Sequence, residues 1–209
     1  MRKFKNRKEA GKLLAQKLLG YKEEKPLILA LPRGGVPVAY EVVQALEAPL
    51  DTLVARKIGS PSNPEFGVGA VAPNDVLILG KDINREELGP VIKQEKDEMK
   101  RRILRYRSGE FAKNIPAKTV IIVDDGLATG VTARAAIESA LLQYKPLKLI
   151  FAAPVCAKDT AEALRNLVDV VCLNEADNFV AVGEWYEDFP QTTDREVVEL
   201  LEKAKAELT

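Results

Sequence analysis

Val120-Ile121-Ile122-Val123-Asp124-Asp125-Gly126-Leu127-Ala128-Thr129-Gly130-Val131-Thr132 is the stretch that decides the fold of this 209-residue chain. Its first four residues are apolar β-formers without polar alternation, the pattern of a strand buried on both faces in a parallel sheet covered by helices. Two carboxylates follow where that strand leaves the sheet. In open α/β sheets the carboxyl ends of the strands are where ligands bind. Beyond the turn, Ala133, Ala136, Ile137, Ala140 and Leu141 recur at helical spacing, so the small, hydroxyl-rich segment Ala128 to Thr132 opens a helix.

That arrangement predicts an anion site. Unpaired amides at a helix start lie at the positive end of its dipole and accept a phosphate, Thr129 and Thr132 add hydroxyl donors, and Gly130 lets the backbone approach closely. Asp124 and Asp125 would repel a phosphate placed on them, so they are expected to face hydrogen-bond donors. A ribose diol beside a phosphate meets both demands.

Outward from this stretch the elements alternate. Asn6 and Glu9 form a capping pattern ahead of the apolar face Ala10, Leu13, Leu14 and Leu18. Pro26 to Leu31 reads as a strand, Val36 to Leu46 as a helix, Asp51 to Lys57 as a strand, and Ala70 to Leu79 as a hairpin about Pro73-Asn74-Asp75. A charged helix runs from Pro90 to Arg107. After the Val120 strand and its helix come a strand from Leu147 to Val155, a helix from Lys158 to Leu167 and a strand from Val168 to Leu173; Thr193 and Glu196 open a last amphipathic helix. The alternation predicts an α/β fold with a mostly parallel open sheet and helices on both faces.

A second strand-to-helix turn is Leu31-Pro32-Arg33-Gly34-Gly35-Val36. Its paired glycines permit unusual backbone angles and expose amides, and Arg33 offers a charged fork to phosphate oxygens; a tight turn that merely needs glycine reads equally well. Arg56-Lys57 ends the next strand, bringing two cations to the same sheet edge or to solvent.

Thirty-one basic and 31 acidic residues balance, so no bulk pull toward nucleic acid or anionic membrane is expected. No apolar run is long enough to span a bilayer, and the basic Met1 to Lys8 segment lacks a signal-peptide core, which together predict a cytoplasmic protein. The absence of histidine excludes a histidine-based triad or a histidine-ligated metal. Cys156 and Cys172 lie in apolar strands and read as buried thiols. The charged helix carries Lys96, Lys100, Arg101, Arg102, Arg105 and Arg107 interleaved with Glu95, Asp97 and Glu98, without an aromatic ladder, and reads as solvated or subunit-facing rather than as a nucleic-acid reader.

The apolar strand, Asp124-Asp125 and the Ala128 to Thr132 loop resemble the phosphoribosyl pyrophosphate (PRPP) motif of type I phosphoribosyltransferases. The resemblance implies that Asp124 and Asp125 hold the ribose hydroxyls, that Ala128, Thr129, Gly130, Val131 and Thr132 bind the 5'-phosphate, and that Arg33 and Gly34, with Arg56 and Lys57, meet the pyrophosphate. It further implies a strained peptide in the first turn, assigned to Arg33-Gly34, and a catalytic set of Asp124, Asp125 and Lys57. Mg²⁺ is expected to arrive mainly through PRPP, with no direct protein ligand. Asn178 to Phe189 is similar to the hood of 6-oxopurine enzymes, which makes Phe179, Val180 and Trp185 the base-binding candidates, with Trp185 or Tyr186 closing the second side. Between Pro61 and Pro116 the likeness thins where the family places a mobile lid, to which Glu65 and Phe66 are assigned.

Two departures mark the substrate end. Ala128 stands where 6-oxopurine enzymes carry an aspartate, and no lysine matches the purine-reading one, Lys158 lying near but out of a certain register. The likeness to poorly characterised bacterial members, through Leu31-Pro-Arg-Gly-Gly and Phe179 to Gly183, covers nearly the whole chain. The expectation is one domain over residues 1–209, with a core from about 26 to 173 and a hood from about 1–25 and 174–209. The resemblance implies transfer of a phosphoribosyl group from PRPP to a nitrogenous base or similar nucleophile with release of pyrophosphate, or alternatively PRPP sensing without turnover, and a homodimer is left possible. A flavodoxin-like nucleotide binder, which would not require the Asp-Asp pair, is the third reading.

Overall fold

The computed structural model describes residues 3–60, 63–80, 83, 85–106 and 118–208. In chain order its elements are α1 (Arg7–Leu18), β1 (Leu27–Ala30), α2 (Gly35–Leu46), β2 (Leu50–Thr52), β3 (Arg56–Ser60), β4 (Asn63–Ala72), β5 (Val76–Leu79), α3 (Gly89–Tyr106), β6 (Thr119–Val123), α4 (Val131–Tyr144), β7 (Lys148–Ala157), α5 (Lys158–Arg165), β8 (Asp169–Ala176) and α6 (Asp194–Glu207). A five-stranded, wholly parallel sheet runs in the order β2-β1-β6-β7-β8.

Each central strand divides its side chains between two cores. Ile28, Ala30, Ile121, Val123, Ile150 and Ala152 face a layer that includes Leu14, Leu18, Val36, Val43 and Val197, from α1, α2 and α6. Leu27, Leu29, Val120, Ile122, Phe151 and Ala153 face Ala133, Ile137, Ala140, Ala161 and Leu164, from α4 and α5. Both faces are therefore dry, which explains a strand sequence with no polar alternation. Complete burial of each Ile or Leu stabilises by roughly 1.5–3 kcal/mol.

The strand order places a topological switch between β1 and β6. From β1 the chain crosses by α2 to β2 on one side; from β6 it crosses by α4 to β7 on the other, so the loops after β1 and β6 diverge and leave a crevice. Their ends are level, since Ala30 pairs with Val123 and Val123 with Ala152.

Two expectations need correction and a third needs widening. The strand expected over Asp51 to Lys57 is two strands in two sheets: β2 joins β1, whereas β3 pairs antiparallel with β4 in a separate sheet ordered β3-β4-β5. The break comes as Leu53 donates the last ladder bond to Ala30. Most of the segment expected to be a lid is regular structure. The β4–β5 hairpin turns at Asn74 and Asp75, both with positive φ, and α3 buries Met99 and Tyr106; the side chains of Glu65 and Phe66 lie outside the described residues. The terminal helices, expected in the hood, also join the helical layer, because Leu14, Leu18, Val197 and Ala204 enter the main core. At Gly11 a Cβ would lie 2.7 Å from the Val38 carbonyl oxygen, so α1 and α2 touch backbone to backbone.

Local signals behaved as physics requires. The Asn6 side chain accepts from the Glu9 amide at 3.0 Å, and Thr193 with Glu196 completes a capping box at α6. Cys156 is buried and Cys172 half-buried, both as free thiols, with hydrogen bonding to Cys172 and burial pushing the Cys156 thiol up.

Candidate active site

Asp124 and Asp125 follow β6 directly, and the chain there is pinned to β7. The Asp124 amide donates to the Ala152 carbonyl at 3.1 Å, and Leu127 exchanges 2.8 Å bonds with Val155 and Ala157. Across the crevice the first turn of α2 presses on the pair. A Cβ at Gly34 would stand 1.9 Å from Asp125 Oδ2, and one at Gly35 would stand 2.6 Å from the Val123 carbonyl oxygen. The Arg33-Gly34-Gly35 turn therefore needs glycine for close approach. Gly34 itself has helical angles, φ −63° and ψ −31°, so the unusual-angle expectation fails. The non-proline cis peptide is Pro32–Arg33, one bond before the one expected.

The loop from Ala128 to α4 has the form of an anion cradle. Gly130 adopts φ 74°, a left-handed value natural to glycine, and a Cβ there would also strike the Thr160 methyl group at 2.6 Å. Thr160 of α5 donates its hydroxyl to the Ala128 carbonyl at 2.7 Å, fixing the turn from behind. The first amides of α4 lack intrahelical acceptors and point out of the helix start. Thr129 is exposed and Thr132 half-buried on this edge.

Electrostatics divide the crevice in two. At the acidic end burial, and then the neighbouring Asp125, push the Asp124 carboxyl well above the usual carboxylate range, while its Oδ1 accepts from the Asp125 amide at 2.8 Å. Asp125 is paired with Arg7 at 2.8 Å, their side chains only 15% and 11% exposed. Sequence reading missed Arg7. Its guanidinium also donates to the Pro190 carbonyl at 2.7 Å and lies 3.7 Å from the centre of the Phe189 ring.

At the basic end Arg33 lies 3.6 Å from Asp194, the first residue of α6. Tyr106 donates to the same carboxylate at 2.6 Å and Arg101 at 3.1 Å; Arg105 stands 3.6 Å away. Burial pushes the Asp194 carboxyl up, but Tyr106 and Arg101 outweigh it and hold it below its usual range. Arg101 also draws Glu98 down to about 2, with Arg102 assisting against burial. Arg56, a pyrophosphate-binding candidate, is bound to Glu95 of α3 at 2.7 Å, and Lys57 is exposed on β3, outside the parallel sheet.

The hood closes on the acidic loop. A Cβ on Gly126 would stand 2.5 Å from a Val182 methyl group. Phe179 and Trp185 lie nearly parallel, 15° apart with centroids separated by 6.4 Å, so two of the three base-binding candidates are together; Val180 is 76% exposed. Tyr186, offered as a second ring for the base, instead packs with Phe4 and Val155 in a small core, where its hydroxyl donates to the Asp125 carbonyl at 2.6 Å. Burial and Asp125 push that phenol up. Lys158 is taken by Asp177 at 2.8 Å.

Comparison with known proteins agrees with this geometry. The profile of the family described as "Phosphoribosyl transferase domain" matches residues 4–189. A Mycobacterium tuberculosis protein provisionally named a phosphoribosyl transferase is 39% identical over 211 residues, covering 98% of this chain and 47% of its own length. The chain thus spans about half the length of the curated relatives it matches. The crystal structure of TT1426 from Thermus thermophilus superposes with a TM-score of 0.79 at 38% identity, covering 97% of this chain and 99% of that one. A Neisseria gonorrhoeae protein crystallised with ppGpp shares the fold alone, at 15% identity and a TM-score of 0.52 over 97% of this chain and 98% of its own. With its acidic strand end, glycine turn and the open amides of the α4 start on one sheet edge, the chain belongs to the phosphoribosyl transferase domain family.

Proposed function

We propose that the protein transfers the 5-phosphoribosyl group of PRPP to a nitrogenous base or similar nucleophile and releases pyrophosphate. The observation that carries this reading is the meeting of Asp124-Asp125 with the Gly34 turn across the β1/β6 crevice, level with the phosphate cradle. In the reaction the bond between ribose C1 and the diphosphate breaks as the nucleophile's lone pair forms the new bond, and the diphosphate leaves with the electron pair.

Each group then has a task. The Ala128 to Thr132 loop holds the 5'-phosphate. Asp124 and Asp125 accept from the ribose hydroxyls, Asp125 through Oδ1 while Arg7 keeps Oδ2. Arg33, with the amide of Gly34, stabilises charge on the diphosphate, Lys57 adding long-range attraction. Phe179 and Trp185 offer ring faces to a planar base. Among the described residues no group of three or more carboxylates or thiols gathers to hold an ion, which supports Mg²⁺ as a companion of the diphosphate; when bound it would neutralise phosphate charge. No helix among the described residues is long and apolar enough to cross a membrane, which supports a cytoplasmic site of action.

A second reading, PRPP sensing without turnover, draws on Ala128 replacing an acid and on Arg7 already occupying Asp125. Pyrophosphate release from Mg²⁺-PRPP, measured across purine and pyrimidine bases, separates the two. Turnover with any base establishes the transferase; tight PRPP binding with none establishes the sensor.

A further inference from the structure

The long helix α3 was expected to be a solvated or subunit-facing surface. Largely solvent-open as expected, it also brings Arg101, Arg102 and Arg105 to the carboxylate that already holds Arg33 of the β1 loop or to its neighbour Glu98. Four guanidinium groups here face two carboxylates, Asp194 and Glu98, and leave positive charge over. Arg101 and Arg105 are 46% and 52% exposed, so as ion pairs alone they add little to stability. Among the described residues Arg33 and Arg105 also have unfilled donors. Arg33 and Arg105 lie 3.6 Å from Asp194, beyond hydrogen-bond length, although each guanidinium has five N–H groups to give. Beside them an open cavity of about 510 Å³ is lined by Arg56, Arg101 and acidic residues of α3.

Resting on the transferase reading, we infer that Arg101 and Arg105 are diphosphate-binding residues, and that Asp194 is an internal counter-ion standing where a phosphoryl group of the substrate binds. Asp194 holds the arginines gathered while the site is empty. A diphosphate, with more charge and more acceptor oxygens than one carboxylate, takes over Arg33 and Arg105, whose hold on Asp194 is weakest. Asp194 keeps its short bond from Tyr106, so the exchange leaves it paired. The diphosphate end is thereby built from three segments far apart in sequence, the β1 loop, α3 and α6.

The test is calorimetric titration with Mg²⁺-pyrophosphate, ribose 5-phosphate and PRPP, which needs no turnover. In Arg101→Gln/Arg105→Gln, where both changes fall on an exposed helix face, pyrophosphate and PRPP are expected to weaken at least about tenfold while ribose 5-phosphate changes less than about twofold. Asp194→Asn is expected to tighten pyrophosphate about threefold, an effect that a purely structural carboxylate would not produce. Unchanged pyrophosphate affinity in the double variant, or weaker binding in Asp194→Asn, overturns the inference. Neither result touches the transferase reading, which fails separately if the wild-type protein binds neither ribose 5-phosphate nor PRPP. Pyrophosphate binding that still depends on Arg101 and Arg105 would in that event uphold the anion site by itself.

Discussion

The acidic and basic ends of the crevice are both prepaired with opposite charge, but in different ways. Asp125 is held by one arginine in a short, nearly buried bond, within a hood that adds a ring face and a carbonyl to the same guanidinium. Arg33 is held at 3.6 Å by a carboxylate shared with Tyr106 and two other arginines. The first arrangement is part of the architecture; the second is a loose assembly awaiting a stronger anion. Breaking a buried pair leaves an uncompensated charge, whereas loosening a shared, solvated one costs little.

The largest expected effect comes from the point where the two ends touch. Gly34→Ala would put a methyl group within bonding distance of Asp125 Oδ2, so Asp125 must leave and take its Arg7 contact with it. Pyrophosphate release from PRPP is expected to fall at least about 100-fold, as on loss of a key transition-state contact. Activity within about threefold of wild type would show that the ends are not coupled through this turn.

Stability separates the ends directly. Arg7→Ala is expected to destabilise the ligand-free protein by about 2 kcal/mol in urea unfolding, since it strands Asp125 and uncovers Phe189. Arg33→Ala, breaking only the 3.6 Å contact, should cost less than about 0.5 kcal/mol. Equal losses would erase the distinction between an architectural and an exchangeable pair.

Asp124 sharpens the contrast by pH. Its carboxyl is raised by burial and by Asp125, so its protonated form is the one the fold prefers. That contribution is complete below the ordinary aspartate pKa and is lost as pH rises toward the raised folded value. Asp124→Asn keeps an oxygen for the Asp125 amide and should gain on the order of 1 kcal/mol at pH 7, with no gain at pH 3. It should also weaken PRPP binding, the behaviour of a residue kept for function against stability. A variant that is stabilised equally at both pH values would assign the gain to something other than the carboxylate.

How much of this was legible follows from how local each part is. The acidic end could be read because strand, carboxylates, cradle and helix are consecutive over Val120 to Thr132, and their spacing alone fixes their relation. Gly34 was legible as important but not why, because its partner Asp125 is 91 positions away in the chain and only the β1/β6 pairing brings them together. Arg7 carried no signal beyond one cation in a basic segment. Asp194 looked like an ordinary acidic residue at a helix start, and α3 like a solvated helix, since its charges alternate in sequence while its fold partners lie in α6 and the β1 loop. The split of β2 from β3 was hidden for the same reason: Asp51 to Lys57 is one extended stretch that changes sheets.

The smallest expected effect concerns Lys57, named from sequence as a catalytic phosphate contact. It lies on β3 in the separate antiparallel sheet, exposed, with its stem running so close to Gly67 that a Cβ there would meet Lys57 Cδ at 3.0 Å. An exposed ammonium acts on a diphosphate mainly through solvent, where attraction is screened over roughly 10 Å at 0.1 M salt. Lys57→Gln should therefore raise KM for PRPP only about two- to threefold at low ionic strength, leave kcat unchanged, and lose its effect at 0.5 M salt. A tenfold loss of kcat that persists in high salt would instead place Lys57 against the leaving group, and would extend the basic end from the loose Asp194 assembly to the neighbouring sheet.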